Sequence, residues 1–315
     1  MISPACQSGN PIQQVDCQAK LGLYQAYMIQ LGGGVTERSL PPLYRDVLGP
    51  HYSGANLTTH RFGYSNRQPP NNATTDCSKT YYNDATTVNR LAAGILSDPN
   101  VIRWVLHELA HVEQCVQVGG RDYYAKLWFN QLGQTQISVT WPPAPGALNW
   151  MQIHDQMAME QAADDKRDQV WQALTGCCID QNGLLIRPLA ITSLTSVIDP
   201  ATATKNFPKK IFTVQTSGGA APLSYQWQVK KPGMTTYANI TAADGTANGN
   251  VFTWSAMYST GTSTAPQIAL GSYGIQVKVS QAKSGLPTEV KSMTSAIALP
   301  NLPTPLNATM NPPGF

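Results

Sequence analysis

SDPNVIRWVLHELAHVEQCVQVGG, residues 97–120, has the marks of one long helix. Ser97 or Asp98 can cap its start with Pro99 just inside, and Gly119–Gly120 stops it. Ile102, Val105, Leu106 and Leu109 recur with the helical period, so one face is expected to be buried. Within the stretch, His107, Glu108 and His111 form the pattern HExxH. Four residues advance a helix by about 400°, which sends both imidazoles off one face a turn apart. Two nitrogens can then reach one Zn²⁺ at roughly 2.0–2.1 Å, with Glu108 beside them as general base for a water on the metal. A polar stripe on a surface helix is the plain alternative. Against it, VLHELAHV embeds these side chains among buried-type residues, where they are costly without a ligand.

A catalytic zinc needs a third protein ligand and one open position. His154, Asp155, Glu160, Asp164 and Asp165 are the candidates, on a second helical stretch, NWMQIHDQMAMEQAADDKRDQVWQALTG, over residues 149–176. Its Ile153, Met157, Ala163, Val170 and Trp171 recur near helical spacing, with Gly176 as the stop. Glu160 stands beside Met159 and two alanines, too apolar a face for a merely solvated carboxylate. Asp164 lies one turn on, on the same side. His154 and Asp155 are the runner-up ligands, and Glu113, six residues from His107, falls on another face.

Glu160 to Asp164 reads ExxAD, and HExxH followed by ExxAD resembles the gluzincin metallopeptidases. That resemblance implies Glu160 as third zinc ligand and Asp164 as a carboxylate orienting a ligating histidine. HELAHVEQ and EQAAD together resemble, more narrowly, the peptidase domain found with bacterial extracellular contractile injection systems. The likeness covers roughly residues 75–175 and is strong only at the two motifs; the first 70 residues match nothing. In that family a short strand precedes the HExxH helix, and Cys77–Asp84 occupies its place here.

A strand over 79–82 would suit a cleft that holds an extended peptide against a sheet edge. Tyr81 and Tyr82 are therefore candidate substrate contacts, and Tyr123 and Tyr124 candidate oxyanion donors, with core packing the competing role for all four. His51 and His60 lie in a loop-rich region and are expected to be ordinary surface or hydrogen-bonding histidines rather than a second metal site.

Working outward, only 12% of the 315 residues are charged, about half of the usual roughly 25%. So sparse a charge argues against a nucleic-acid binder, and no apolar run approaches the roughly 20 residues of a membrane span. The formal net charge of +3 is the sum of −3 over residues 1–186 and +6 over residues 187–315. All five histidines and all six cysteines lie in the first segment, so two domains are expected. Cys6 and Cys17 can close a short loop. Cys177 and Cys178 are adjacent, so separate partners elsewhere, or buried free thiols, are expected for them. MISPACQSGNPIQQ lacks a cationic stretch followed by an apolar one, so a secretory signal peptide is not expected there.

After Arg187 the pattern changes to short runs of period two, among them ITSLTSV, KIFTVQTSG, SYQWQV, NVFTWSAM, PQIAL and GIQVKVSQ, which points to an all-β sandwich. Trp227 takes the place of an immunoglobulin-like core tryptophan and Tyr273 that of a tyrosine corner. Ile275 and Val214 stand where that fold keeps its two cysteines, so an aliphatic pair is expected there.

The expected fold class is α+β: a mainly helical zincin-like metallopeptidase domain over 1–186, an all-β immunoglobulin-like sandwich over 187–300, and a Pro-rich tail over 301–315. The expected function is zinc-dependent endopeptidase action on a peptide or protein substrate, with Zn held by His107, His111 and Glu160. The sandwich is expected to serve adhesion or assembly into a homo-oligomer or larger particle, outside the cell or on a particle surface. The alternatives are a structural or decorating protein of a virion, filament or injection particle, and a carbohydrate-binding adhesin.

Overall fold

Proline at the first position of a helix costs little, because its missing N–H has no partner there. Among the described residues three α-helices begin this way: α1 (Pro11–Gly32), α2 (Pro42–Leu48) and α4 (Pro99–Gln117). The computed structural model describes residues 3–7, 10–140, 154–203, 208–255, 271–283 and 286–297. The chain divides into two compact units, Met1–Pro188 and Leu189–Phe315, and combines helices with antiparallel sheets in an α+β arrangement. Pro188–Leu189 lies two residues beyond the boundary expected at 186.

The first unit adds α3 (Ala85–Ala93) and α5 (Arg121–Thr140), with α6 (Ala158–Thr175) after them, to a small sheet. Its strands are β1 (Arg38–Ser39), β2 (Arg61–Tyr64), β3 (Ala73–Thr75) and β4 (Lys79–Tyr82), in the order β1-β2-β4-β3. Strand β4 runs parallel to β2 and antiparallel to β3. The expected strand over 79–82 therefore exists but lies inside the sheet, and the strand at the rim is β3. One core gathers α2, α3, α4, α6 and the sheet around Tyr52, Leu91, Leu109, Val112 and Leu174. A second joins α1 to α5 through Leu21, Met28, Leu31 and Tyr124.

Helix α4 ends where the sequence says it should. Gly119 and Gly120 take φ of 100° and 108°, a region that glycine enters freely, and the Gly120 N–H reaches back to the Cys115 carbonyl at 2.9 Å. The second stretch departs from expectation, since α6 begins only at Ala158. His154 and Asp155 are helical but separated from α6 by a turn at Gln156–Met157, where the Met157 N–H bonds the His154 carbonyl at 2.9 Å, and residues 149–153 lie outside the described ones. Side chains of other helices explain the break: Gln131 of α5 accepts the Met159 N–H at 2.9 Å, and Gln114 of α4 donates to the Met159 carbonyl at 2.9 Å.

All six cysteines are paired, as Cys6–Cys17, Cys77–Cys115 and Cys177–Cys178. The expectation of separate partners for the adjacent pair is corrected, since the turn after α6 brings no third cysteine to them. Cys77–Cys115 ties the turn between β3 and β4 to α4, one helical turn past His111.

In the second unit two four-stranded antiparallel sheets face each other. One has β5 (Ala190–Ile198), β6 (Lys210–Ser217), β10 (Val251–Trp254) and β9 (Gly245–Asn248) in that order. The other has β12 (Glu289–Ile297), β11 (Gly271–Ser280), β7 (Ser224–Lys230) and β8 (Ala238–Asn239). Alternation turns Phe212, Val214, Phe252 and Trp254 of the first sheet onto Trp227, Val229, Ile275 and Val277 of the second. The Trp227 and Phe252 rings stand 5.7 Å apart, and Trp227 donates its indole N–H to the Gly249 carbonyl at 3.0 Å. The run PQIAL and the tail over 301–315 lie outside the described residues.

Candidate metal centre

His107 and His111 leave α4 one turn apart, their rings 4.7 Å between centroids and nearly perpendicular. Glu160, in the first turn of α6, meets them. Its Oε2 stands 3.2 Å from His107 Nε2 and 3.0 Å from His111 Nε2, and the two nitrogens are 3.1 Å apart. Ligands at about 2.0 Å on a tetrahedral ion are about 3.3 Å from one another, so this triangle has the size of one face of a zinc coordination shell.

Protons fix what the triangle can hold. His107 donates its Nδ1–H to Asp164 Oδ1 at 2.8 Å, and His111 donates its Nδ1–H to Gln114 Oε1 at 2.9 Å. The Gln114 amide nitrogen is committed to Met159, which leaves its oxygen for His111. With both Nδ1 atoms protonated, both Nε2 atoms of neutral rings carry lone pairs, and these point with a carboxylate oxygen at one spot. Three lone pairs that close repel unless a cation lies among them. A proton or a metal ion can serve, and the donor set fits zinc.

The charge balance says the same. Burial works against the charged form of His111, but the Glu160 carboxylate outweighs it and pushes the ring up to about 9. Burial opposes the Glu160 charge too, yet the His111 charge and hydrogen bonds from His107, His111 and His154 hold it far below the usual carboxylate range. His154 Nε2 stands 3.2 Å from the other oxygen of Glu160, so its ring is raised by that carboxylate despite partial burial.

Glu108 is buried on the neighbouring side of α4 and accepts a hydrogen bond from the Thr75 hydroxyl at 2.6 Å on Oε2. It lines a cavity of 440 Å³ together with the three donors, His154 and Tyr124. Leu23 and Tyr27 of α1 and Trp128 and Phe129 of α5 form its apolar wall, and β3 forms its rim. A second hollow of 420 Å³ shares His107, Glu108, His154 and Glu160 and is polar beyond them, with Arg103, Asp164 and Arg167. The donors thus stand on a divide between an apolar and a polar basin. Along the rim, Asn72 accepts from Asn83 and Asp76 donates to Lys79, so antiparallel alternation turns the main chain of Ala73 and Thr75 away from β4.

No family model, no curated protein and no solved structure matches this chain significantly. The site therefore stands on its own geometry.

His107, Glu108, His111, Glu160 and Asp164 are brought together, and among the described residues the first, third and fourth form the one group able to hold a metal. Tyr124 joins them, its ring 6.3 Å from that of His111. The other tyrosines do not. Tyr81 is buried and donates to Glu37 at 2.7 Å, Tyr82 packs edge-on against Trp104 in the core, and Tyr123 is exposed outside the cavity. The strand of Tyr81 and Tyr82 is interior, which keeps those two from the cavity. Asp155 is exposed and paired with His154 Nδ1 at 3.3 Å, outside the group of three donors, while Glu113 is tied to the Gly54 N–H and to Lys166, both at 3.0 Å. Of the two roles expected for His60 it takes the hydrogen-bonding one, buried with Nε2 3.2 Å from Thr80 Oγ1. Gln114, Arg167 and Thr75 were not singled out in the sequence. Arg167 holds Asp164 against His107 and also binds Asp168, which Arg103 meets at 2.6 Å.

Proposed function

We propose that residues 1–188 form a zinc-dependent endopeptidase of the gluzincin type. The observation that carries this reading is the triangle of His107 Nε2, His111 Nε2 and Glu160 Oε2 beside Glu108, open to a cavity rimmed by β3. His107, His111 and Glu160 would hold the metal, and Asp164 and Gln114 would keep both rings in the tautomer that offers Nε2. A zinc ion bound there supplies Lewis acidity, acidifying a water and polarising a peptide carbonyl. Glu108 takes the proton of the attacking water and returns it to the leaving amine. Tyr124 stays protonated, since burial pushes its phenol far up, and so serves as a donor to the developing oxyanion. An extended peptide would lie along the β3 rim, where Tyr24 already holds the Thr75 carbonyl at 3.1 Å, and place an apolar side chain against Trp128 and Phe129.

For residues 189–315 the proposal is an immunoglobulin-like module for adhesion or assembly into a homo-oligomer or larger particle. Its support is the buried Trp227, with Val214 and Ile275 in the same core between two antiparallel sheets. Three disulfides favour an oxidising destination, outside the cell or on a particle surface. Among the described residues no helix is long and apolar enough to cross a membrane.

One observation favours a structural metal in a particle protein instead. His154 Nε2 stands 3.2 Å from Glu160 Oε1, beside the three donors but outside their group, and a shift of its segment would bring it in to close the shell. The two readings part at Glu108. Zinc content and cleavage of a mixed peptide library should be measured for wild type, His107→Ala and Glu108→Gln. A peptidase loses zinc in the first variant and keeps zinc but not turnover in the second. Wild-type protein that binds zinc and cleaves nothing would favour the structural site.

A further inference from the structure

Behind Glu108 lies a line of buried polar groups that the reaction above does not use. Thr75 Oγ1 on β3 is 2.6 Å from Glu108 Oε2, Thr80 Oγ1 on β4 is 2.9 Å from Thr75 Oγ1, and His60 Nε2 just before β2 is 3.2 Å from Thr80 Oγ1. All four residues are buried, and His60 Nδ1 has no hydrogen-bond partner among the described residues. Hydroxyls both donate and accept, so the direction of such a chain is set by its ends. An ionised carboxylate only accepts, which makes Thr75 the donor to Glu108. The Thr75 oxygen is then left to accept from Thr80, and the Thr80 oxygen to accept from His60. His60 must carry its proton on Nε2 and leave Nδ1 bare. Burial also keeps the ring neutral, lowering its pKa to about 4.

We propose that Thr75, Thr80 and His60 are positioning residues that give the two oxygens of Glu108 different tasks. Oε2 is a standing acceptor at the head of a one-way donor chain, and Oε1 alone takes and returns the proton. The chain runs from the residue before β2 through β4 and β3 to α4, so the sheet itself aims the base. It fixes the carboxylate plane at its buried end, and each donor in it polarises the next. The catalytic use of this chain rests on the peptidase reading; its hydrogen-bond direction does not.

Two measurements test the inference. In zinc-loaded protein labelled with ¹⁵N-histidine, two-bond ¹H–¹⁵N spectra should show His60 protonated at Nε2 and bare at Nδ1, with the signals assigned by loss in His60→Gln. A ring protonated at Nδ1 means the chain runs the other way and overturns the inference. On a cleaved library peptide, Thr75→Val should lower kcat about 10- to 100-fold with KM and zinc content unchanged. Thr75→Ser, which restores the hydroxyl, should recover most of that loss. Thr75→Val with wild-type kcat sinks the inference and leaves the peptidase reading intact. Wild-type protein that cleaves nothing while His60 shows the expected tautomer overturns the peptidase reading, and the catalytic use of the chain with it.

Discussion

The side-chain nitrogen of Gln114 lies 2.9 Å from the main-chain oxygen of Met159, the residue before Glu160. One amide thereby serves two ligands, since its oxygen holds the His111 ring while its nitrogen holds the start of α6. Gln114→Met keeps the volume and removes both bonds. Zinc affinity, measured by competition with a chromophoric chelator, is expected to fall about 10- to 100-fold.

On the metal reading, proton and metal would compete for the triangle. His111 is raised to about 9 in the metal-free site, so at pH 7.5 that ring is charged and must lose its proton on loading. Zinc titrations by calorimetry in buffers of different ionisation enthalpy should report release of about one proton at pH 7.5. Release that is absent at pH 7.5 would show that another group balances Glu160.

The same ring gives the metal-free protein a pH dependence of definite sign. A histidine raised in the folded state contributes stability that is full below its unfolded value of about 6.5 and lost as pH rises through about 9. Metal-free protein should therefore be less stable to urea at pH 9.5 than at pH 6.5. Zinc-loaded protein should not show that slope.

His60 works in the opposite direction. It is lowered to about 4, so the unfolded chain binds a proton that the folded one refuses between about pH 6.5 and 4. Stability from this group is full above pH 6.5 and lost as pH falls, by about 3 kcal/mol in all. The part between pH 6.5 and 5, where most carboxylates are still ionised, should vanish from urea unfolding of His60→Gln.

Cys77–Cys115 closes a loop with a sequence separation of 38. In the chain-entropy account such a link stabilises by about 4 kcal/mol. The double variant Cys77→Ser, Cys115→Ser should lower Tm and weaken protection of β3 in hydrogen exchange, because the link clamps the β3–β4 turn to α4. Unchanged Tm would mean that the tie carries no stability.

The helix of His107 and His111 was legible because its cap, stop and apolar face are all local. Glu160 was legible because a carboxylate among Met159 and alanines is out of place on a solvated surface. Strand β3 was not, since Ala73–Thr75 is three residues in a polar run and becomes a strand only by pairing with β4. Gln114 and Arg167 read as solvated helix residues until α4 and α6 are brought together. The donor chain needs the residue before β2, two strands and a helix at once, which no sequence spacing encodes. The turn at Met157 escaped because Ile153 and Met157 keep the helical period across a break imposed by Gln131 of another helix.

His107 and His111 stand deep within α4, whereas Glu160 occupies the first turn of α6, whose capping residue Met157 offers no side-chain bond. The centre therefore has a fixed side and a yielding side. A helix loosens from its ends, so an ion leaving this site would part from Glu160 first and from the histidines last. On the metal reading, the lifetime of a bound ion would be governed by how often one terminal turn unwinds, with Gln114 and Gln131 as brakes on that exchange.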